Sequence, residues 1–410
     1  MKIGVIGAGI SGLSIAKLLG ETHEVEVIEK NSIIGGIAKT KQINNASYHL
    51  IGGHCFNSKH KEVLDFVFNQ VMPKNEWHKI IRNAAIRFKD HEINYPIEFS
   101  VKQIADFDND LAIRIVKDFL NAKDDGEYSN LAEWFKKKFG NTLTNEYFLP
   151  YNKKIWNKDP KEIDPSWVED KLPIPNVESF FKSLIDSSKD KMPHQEFYYP
   201  KSNNQNTFIN NLAFGINVKL NTDVTSINYD LRKSKYCIND SLYYDKIIST
   251  MPLNIIPKFI LNSPIDVLEA GEKLKYNKIS TMLWVSMPTE RTWTYIPDST
   301  SIFHRYIHIG NFFKPIKNLT ITECIGDKTF DEMKKAGEKD SFLIKPLSHN
   351  VSDHAYVVYD SNYKHNKEII LKYLDSIGIY SLGRFGQWDY FNMDICIKKA
   401  LELKKIIKNE

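Results

Sequence analysis

Three glycines in the run Gly7-Ala8-Gly9-Ile10-Ser11-Gly12 stand between an apolar stretch, Lys2 to Ile6, and a helical pattern of Leu13, Ile15, Ala16, Leu18 and Leu19. Glycines at this spacing suit a pyrophosphate: Gly7 permits a tight turn, Gly9 lets the backbone approach the ligand, and Gly12 lets helix and strand pack closely. The helix start, with Ser11 in its first turn, then offers free amides and the positive end of its dipole to the negative charge. A second strand, Val25 to Ile28, ends in Glu29, twenty-two positions after Gly7, where a dinucleotide fold places a carboxylate on the ribose hydroxyls. These residues predict a dinucleotide site without choosing between NAD and FAD.

The choice comes from the next segment. Lys30 to Thr40, with Gly35-Gly36 inside it, resembles the glycine-pair motif that follows the second strand in flavin amine oxidases, protoporphyrinogen oxidases and galactopyranose mutases. That resemblance implies FAD, and it adds Lys30, Gly35 and Gly36 to the cofactor-binding candidates.

The elements that must position this site fill a long chain. At 410 residues and 42% apolar, it exceeds the usual size of one hydrophobic core, so two or three lobes are expected. Fifty-five basic residues against 51 acidic ones give a net charge of +4 spread along the chain, which argues against nucleic-acid binding. Cys55, Cys237, Cys324 and Cys396 lie far apart, which argues against a disulfide framework and against a metal site and fits the reducing cytoplasm. No segment approaches the roughly 20 uninterrupted apolar residues needed to span a bilayer.

Residues 100 to 150 read mostly as amphipathic helix, for example Leu111 to Phe119 and Asn130 to Phe139. Strand patterns return at Val218 to Leu220, Val224 to Tyr229, Tyr236 to Ile238 and Lys246 to Pro252, with Val224 counted as a cofactor contact. Ile279 to Val285, Ile302 to Ile309 and Leu319 to Cys324 suggest an antiparallel sheet, the usual roof over a flavin's reactive face. The expected fold class is α/β: a Rossmann-like, discontinuous FAD-binding domain with a helical insertion and an antiparallel-sheet insertion. The expected division is 1–78, 197–252 and 350–410 for the FAD domain, 99–172 for the helical domain, and 79–98, 173–196 and 253–349 for the sheet.

Four segments resemble the UDP-galactopyranose mutase family. Gly52 to Ser58 is similar to the family's GPHIFHT-like loop beside the flavin. Tyr151 to Pro160 is similar to its YTxKQWG stretch, whose tyrosine stacks on uracil and whose tryptophan lines the sugar pocket. Phe303-His304-Arg305-Tyr306 resembles its tyrosine-threonine-arginine strand, in which the arginine grips the substrate diphosphate. Gly383 to Asp394 resembles the GRLGxYxYLxMD signature.

What the resemblance implies is a flavoenzyme of the isomerase class that interconverts UDP-galactopyranose and UDP-galactofuranose, with N5 of reduced FAD attacking the anomeric carbon. NAD(P)H or another reductant would supply the electrons, and the family suggests a homodimer. The implied substrate contacts are Tyr151, Trp156, Lys171, Arg305, Tyr356 and Tyr390, with His54 and Asn57 organising the flavin edge and sugar. Gly383 and Arg384 would meet the FAD pyrophosphate, while Asn392 and Met393 would bring the amides of the last helix to the flavin's pyrimidine edge. A guanidinium fork suits a buried diphosphate because it donates two parallel hydrogen bonds.

The chain also departs from the family pattern. Asn57 replaces the loop's second histidine, Lys171 replaces an arginine, and Trp388 stands where a tyrosine is common. Changes of this kind are expected of a mutase acting on a different nucleotide sugar. An FAD-dependent oxidase or desaturase of the amine-oxidase type is the rival, supported by Phe197 to Lys201 and Ser249 to Pro252.

Overall fold

The structure, a computed structural model, describes residues 1–43, 46–168, 172–185 and 195–408. Its centre is a five-stranded parallel sheet in the order Ile379–Ser381, Lys246–Ser249, Lys2–Ile6, Glu24–Ile28, Asn217–Lys219. Strands from the two ends and the middle of the chain therefore share one sheet, as expected of a discontinuous domain. Parallel strands are buried on both faces, which is why Lys2–Ile6 reads as a nearly continuous apolar run. The helices Ile10–Leu19 and Met393–Lys408 pack on each other and on this sheet through Leu13, Ile397 and Ala400.

A seven-stranded sheet forms the roof, in the order Leu343–Val357, Tyr276–Ser286, Leu319–Ile325, Arg305–Ile307, Trp293–Tyr295, Ala84–Phe88, His91–Asn94. Its pairs are antiparallel except Trp293–Tyr295 with Ala84–Ile86, which is parallel, so the sheet is mixed. The strand Leu343–Val357 runs without a break past residue 350, where the sequence reading put a domain border, because it stays paired with Tyr276–Ser286 over its length.

The helical insertion holds Asn109–Asn121 and Leu131–Phe139, each started by a side-chain cap: Asp108 accepts from the Leu111 amide at 2.9 Å and Asn130 from the Glu133 amide at 2.9 Å. Phe148 stacks on both Phe135 and Phe139 immediately before the helix Leu149–Trp156, which carries Tyr151. Three predicted strands come out shorter. Pairing begins only at Ile227 and leaves Val224 in a loop, the Lys246 strand stops at Ser249, and the Ile302 to Ile309 stretch pairs only over Arg305–Ile307. No helix of the described residues is long and apolar enough to cross a membrane.

Candidate functional site

The glycine turn is built as its spacing requires. Gly7 has φ +98° and donates to the Ile28 carbonyl at 2.8 Å, tying the turn to the neighbouring strand. A Cβ on Gly12 would drive into the Gly7 carbonyl oxygen, so only glycine lets the helix come this close. Gly35 donates to Ala8 O at 2.8 Å, and Gly36 sits against Gly9, where a Cβ would lie 3.0 Å from the Gly9 Cα. The two glycine motifs thus form one bare backbone cradle. Glu29 is buried and accepts from the Ala8 amide at 2.8 Å and from Asn31, so its carboxylate closes the same loop. Gly383, at φ +90°, packs on Ser11 so closely that a side chain there would collide with it, which brings the C-terminal motif to the N-terminal turn.

These features fit an FAD. The cradle has no side chain to obstruct a pyrophosphate, the helix at Ile10 starts beside it, and a second helix starts at Met393 next to the exposed Asn392. Lys30 is exposed on the same rim, and Val224 is buried in the core behind Ile28.

Beside the cradle lies a cluster of cations and phenols. Arg305 donates through Nε to Glu323 Oε2 at 2.7 Å and through Nη2 to the same carboxylate and to Tyr356 Oη at 3.0 Å. Tyr356 in turn donates to Glu323 Oε1 at 3.2 Å. Burial works against the Arg305 charge, but the Glu323 carboxylate together with Tyr356, Tyr295 and Tyr390 outweighs it, holding the guanidinium above its ordinary range. The Tyr356 ring stacks on Tyr390 at 5.7 Å, and the Arg384 guanidinium lies over Tyr390 at 4.1 Å while donating to Ala355 O at 2.6 Å. The Arg384 Nε is buried with no partner. Arg384, expected at the pyrophosphate, thus also joins Tyr356 and Tyr390, the tyrosines expected at the substrate.

The helical insertion reaches the cluster through two aromatic contacts. Trp156 packs edge-on against Tyr356 at 6.3 Å, with its indole N–H held by Asn152 Oδ1 at 3.1 Å. Tyr151 stacks on Tyr147 and meets Tyr295 edge-on at 5.9 Å, and Tyr295 is the strand partner of Arg305. Opposed residues of an antiparallel pair project to the same face, so Tyr295 and Arg305 share one.

His54 belongs to the loop after the strand Ala46–His49. Its Nε2 is buried and unpartnered, and burial with the charges of Arg384 and Arg305 pushes the imidazole down to about 4. It is neutral near pH 7. Gly52, at φ +62°, turns this loop against Arg305 and Glu323. Asn57 is half-buried, next to Phe56, whose backbone pairs with Tyr198. Next to Tyr390, a cavity of about 460 Å³ opens between Trp167, Tyr359, Lys367 and Asp389.

The structure thus brings together His54, Tyr151, Trp156, Arg305, Tyr356, Tyr390 and Arg384. Lys171 lies outside the described residues. Tyr356, which the sequence division put in the FAD domain, sits on the roof strand Leu343–Val357. Trp388 is fully buried against Phe385 and His354 and serves as core. Sequence reasoning missed Glu323, Tyr295 and His49. Glu323 carries a signal in retrospect, a carboxylate in the middle of the apolar run Leu319 to Ile325.

A family model described as an NAD(P)-binding Rossmann-like domain matches residues 5–69. The chain is 27% identical over 180 residues to a dTDP-fucopyranose mutase of Escherichia coli, a match that takes in 42% of this chain and 46% of that protein. The chain thus spans about half the length of this curated relative. Among solved structures, a reduced UDP-galactopyranose mutase superposes with a TM-score of 0.87 at 20% identity, covering 100% of this chain and 94% of that one. A CLA-producing fatty acid isomerase from P. acnes superposes with a TM-score of 0.69 at 13% identity, covering 99% and 98%. The whole chain thus follows the fold of the UDP-galactopyranose mutase structure, with the four motif segments gathered around one cluster of arginines and tyrosines.

Proposed function

We propose that this chain is a reduced-FAD-dependent mutase that interconverts the pyranose and furanose forms of a nucleotide sugar. The observation that carries the reading is the state of Arg305. Its Nε and Nη2 are pinned by Glu323 and Tyr356, while its Nη1 forms no hydrogen bond among the described residues. A guanidinium held on one side and open on the other is a preorganised receptor for a phosphate oxygen.

The roles follow from position. Arg305 binds the diphosphate, with Tyr390 and Tyr356 offering hydroxyls and Arg384 adding charge from behind the Tyr390 ring. Tyr151 presents a ring to the base, and Trp156 closes the sugar side. Lys171 would add a further cation to the diphosphate. His54, neutral near pH 7, offers Nε2 as a hydrogen-bonding group and not as a charged acid. Asn57 would hold a sugar or flavin-edge oxygen through its amide. Gly7, Gly9, Ser11, Gly12, Gly35, Gly36 and Glu29 hold the dinucleotide, and the amides at Asn392 and Met393 stabilise negative charge on a bound flavin. Bound and reduced, a flavin supplies a nucleophilic nitrogen for the anomeric carbon, and the reaction consumes no reductant overall.

Two sugars compete. The family resemblance favours UDP-galactose, and the similarity to a dTDP-fucopyranose mutase favours a thymidine nucleotide of a 6-deoxy sugar. The test is to reduce the purified yellow protein with dithionite and incubate it with each pyranose substrate, separating the ring forms by chromatography. Conversion of one of them by reduced and not by oxidised protein is the expected result. Hydrogen peroxide formation from an amine donor, with neither sugar converted, would replace this reading by the oxidase one.

A further inference from the structure

The His54 loop is tied at both ends. Leu50 O accepts from Thr281 Oγ1 at 2.9 Å and from Asn350 Nδ2 at 3.0 Å, and Phe56 exchanges backbone hydrogen bonds with Tyr198 at 3.0 and 2.7 Å. Between these anchors the His54 amide donates to Nδ1 of His49 at 3.1 Å. The other nitrogen of His49, Nε2, lies 2.8 Å from the hydroxyl of Tyr199. His49 and Tyr199 have no exposed surface, and Tyr199 is wedged against Phe312 and Phe313.

The donors and acceptors permit one arrangement. An amide can only donate, so Nδ1 must carry its lone pair, and a neutral imidazole then has its proton on Nε2, donating to the Tyr199 oxygen. Burial beside His54 holds His49 well below its ordinary range, in keeping with the neutral form. A protonated ring would set one N–H against another.

We propose that His49, fixed as its Nε2–H tautomer by the His54 amide and anchored through that N–H on Tyr199, is a positioning residue that sets the backbone of His54 and thereby the aim of the His54 ring at the flavin edge. The free Nε2 of His54 is the group whose placement this controls. The proposal rests on the FAD reading of the site and is independent of which sugar is bound.

Two amide substitutions separate the two ends of the imidazole. His49→Asn places an acceptor oxygen near the Nδ1 position and gives up Tyr199. His49→Gln reaches Tyr199 and leaves the His54 amide unbonded. In the reduced holoenzyme, His49→Gln is expected to lower kcat by ~10–30-fold with KM changed by less than ~2-fold, and His49→Asn to recover kcat to within ~3-fold of the unsubstituted protein. The visible flavin band of the oxidised protein, read without any sugar, is expected to shift in His49→Gln and to return in His49→Asn. Tyr199→Phe, which keeps the ring and removes the oxygen that anchors Nε2–H, is expected to shift the band less than His49→Gln.

Equal bands and equal kcat in the Asn and Gln variants overturn the proposal, as does a change confined to KM. If His49→Gln does not fold, Tyr199→Phe decides: an unshifted band there overturns the proposal. A protein that binds FAD and converts neither nucleotide sugar defeats the mutase reading, while the spectral comparison tests His49 all the same.

Discussion

Arg305 and Glu323 sit directly opposite each other on two antiparallel strands, and the carboxylate, with no exposed surface, engages both Nε and Nη2 of the guanidinium. Opposed residues in such a pair project to the same face, so the ladder register itself makes the contact. A buried charge needs its partner, because removing one member leaves the other uncompensated. The pair therefore acts as a unit, and the anion-binding face proposed for it is the remaining corner of Arg305. Glu323→Gln, of equal size and no charge, is expected to weaken UDP or dTDP binding by ~10-fold or more in a calorimetric titration and to lower the melting temperature. Unchanged affinity would show that Glu323 does not hold the receptor in shape.

Arg305→Lys keeps the charge and loses the fork. A single ammonium cannot bond Glu323, Tyr356 and a phosphate in the geometry that the planar group allows. The expected loss in kcat/KM is ~10–100-fold, with flavin content unchanged because Arg305 lies outside the glycine cradle. A lysine variant with full activity would reduce Arg305 to a point charge.

The two glycines of the turn should respond differently to alanine. Gly12→Ala drives a methyl into the Gly7 carbonyl and is expected to yield colourless or unfolded protein. Gly9→Ala meets its nearest atom, the Gly36 Cα, at 3.8 Å, an ordinary contact. Its protein should fold and take up less FAD, since the methyl occupies the approach to the pyrophosphate. Absorbance at the flavin band per protein chain, with circular dichroism for folding, checks both.

Tyr390→Phe keeps the ring stacked on Tyr356 and under Arg384 and removes the hydroxyl. Tyr390→Ala removes both. The phenylalanine variant is expected to lose ~10–100-fold in kcat/KM, as for one hydrogen bond to a charged group, and the alanine variant at least tenfold more. Equal losses would mean that the ring contributes nothing beyond carrying its oxygen.

Glu98 offers a pH test away from the site. It is buried, its Oε1 has no partner, and burial pushes its carboxyl up to about 8. The folded protein thus keeps a proton that the unfolded chain releases above its ordinary value of 4.5, so this group's contribution is present at low pH and is lost as pH rises toward 8. His54 works in the other direction, since its folded value of about 4 means that stability is lost as pH falls below its ordinary value of 6.5. Glu98→Gln, which resembles the protonated acid, is expected to raise stability by about 1–3 kcal/mol at pH 8 and by little at pH 5. Chemical denaturation at the two pH values measures this, and equal effects would place the Glu98 proton elsewhere.

The glycine turn, the second strand and the C-terminal helix were legible because each is a local pattern with its own steric reason. Gly7 and Gly12 are required by contacts within one strand, turn and helix, so their spacing carries the information. The helices from Asn109 and Leu131 announce themselves through Asp108 and Asn130, whose caps act within three residues. The strands around Val224 and Ile302 were overextended because apolar alternation marks burial, while pairing ends where the partner strand ends.

By itself the sequence determined the dinucleotide turn, the flavin-type glycine pair and the aromatic and arginine residues that the proposed chemistry on a nucleotide sugar would use. Glu323 and His49 could not be read that way. Eighteen positions separate Arg305 from Glu323, and 150 separate His49 from Tyr199. No local rule links such distances. Only the tertiary structure, through strand register and the burial that strips water from these groups, decided that one carboxylate pins the Arg305 guanidinium and that one imidazole bridges the His54 amide and Tyr199.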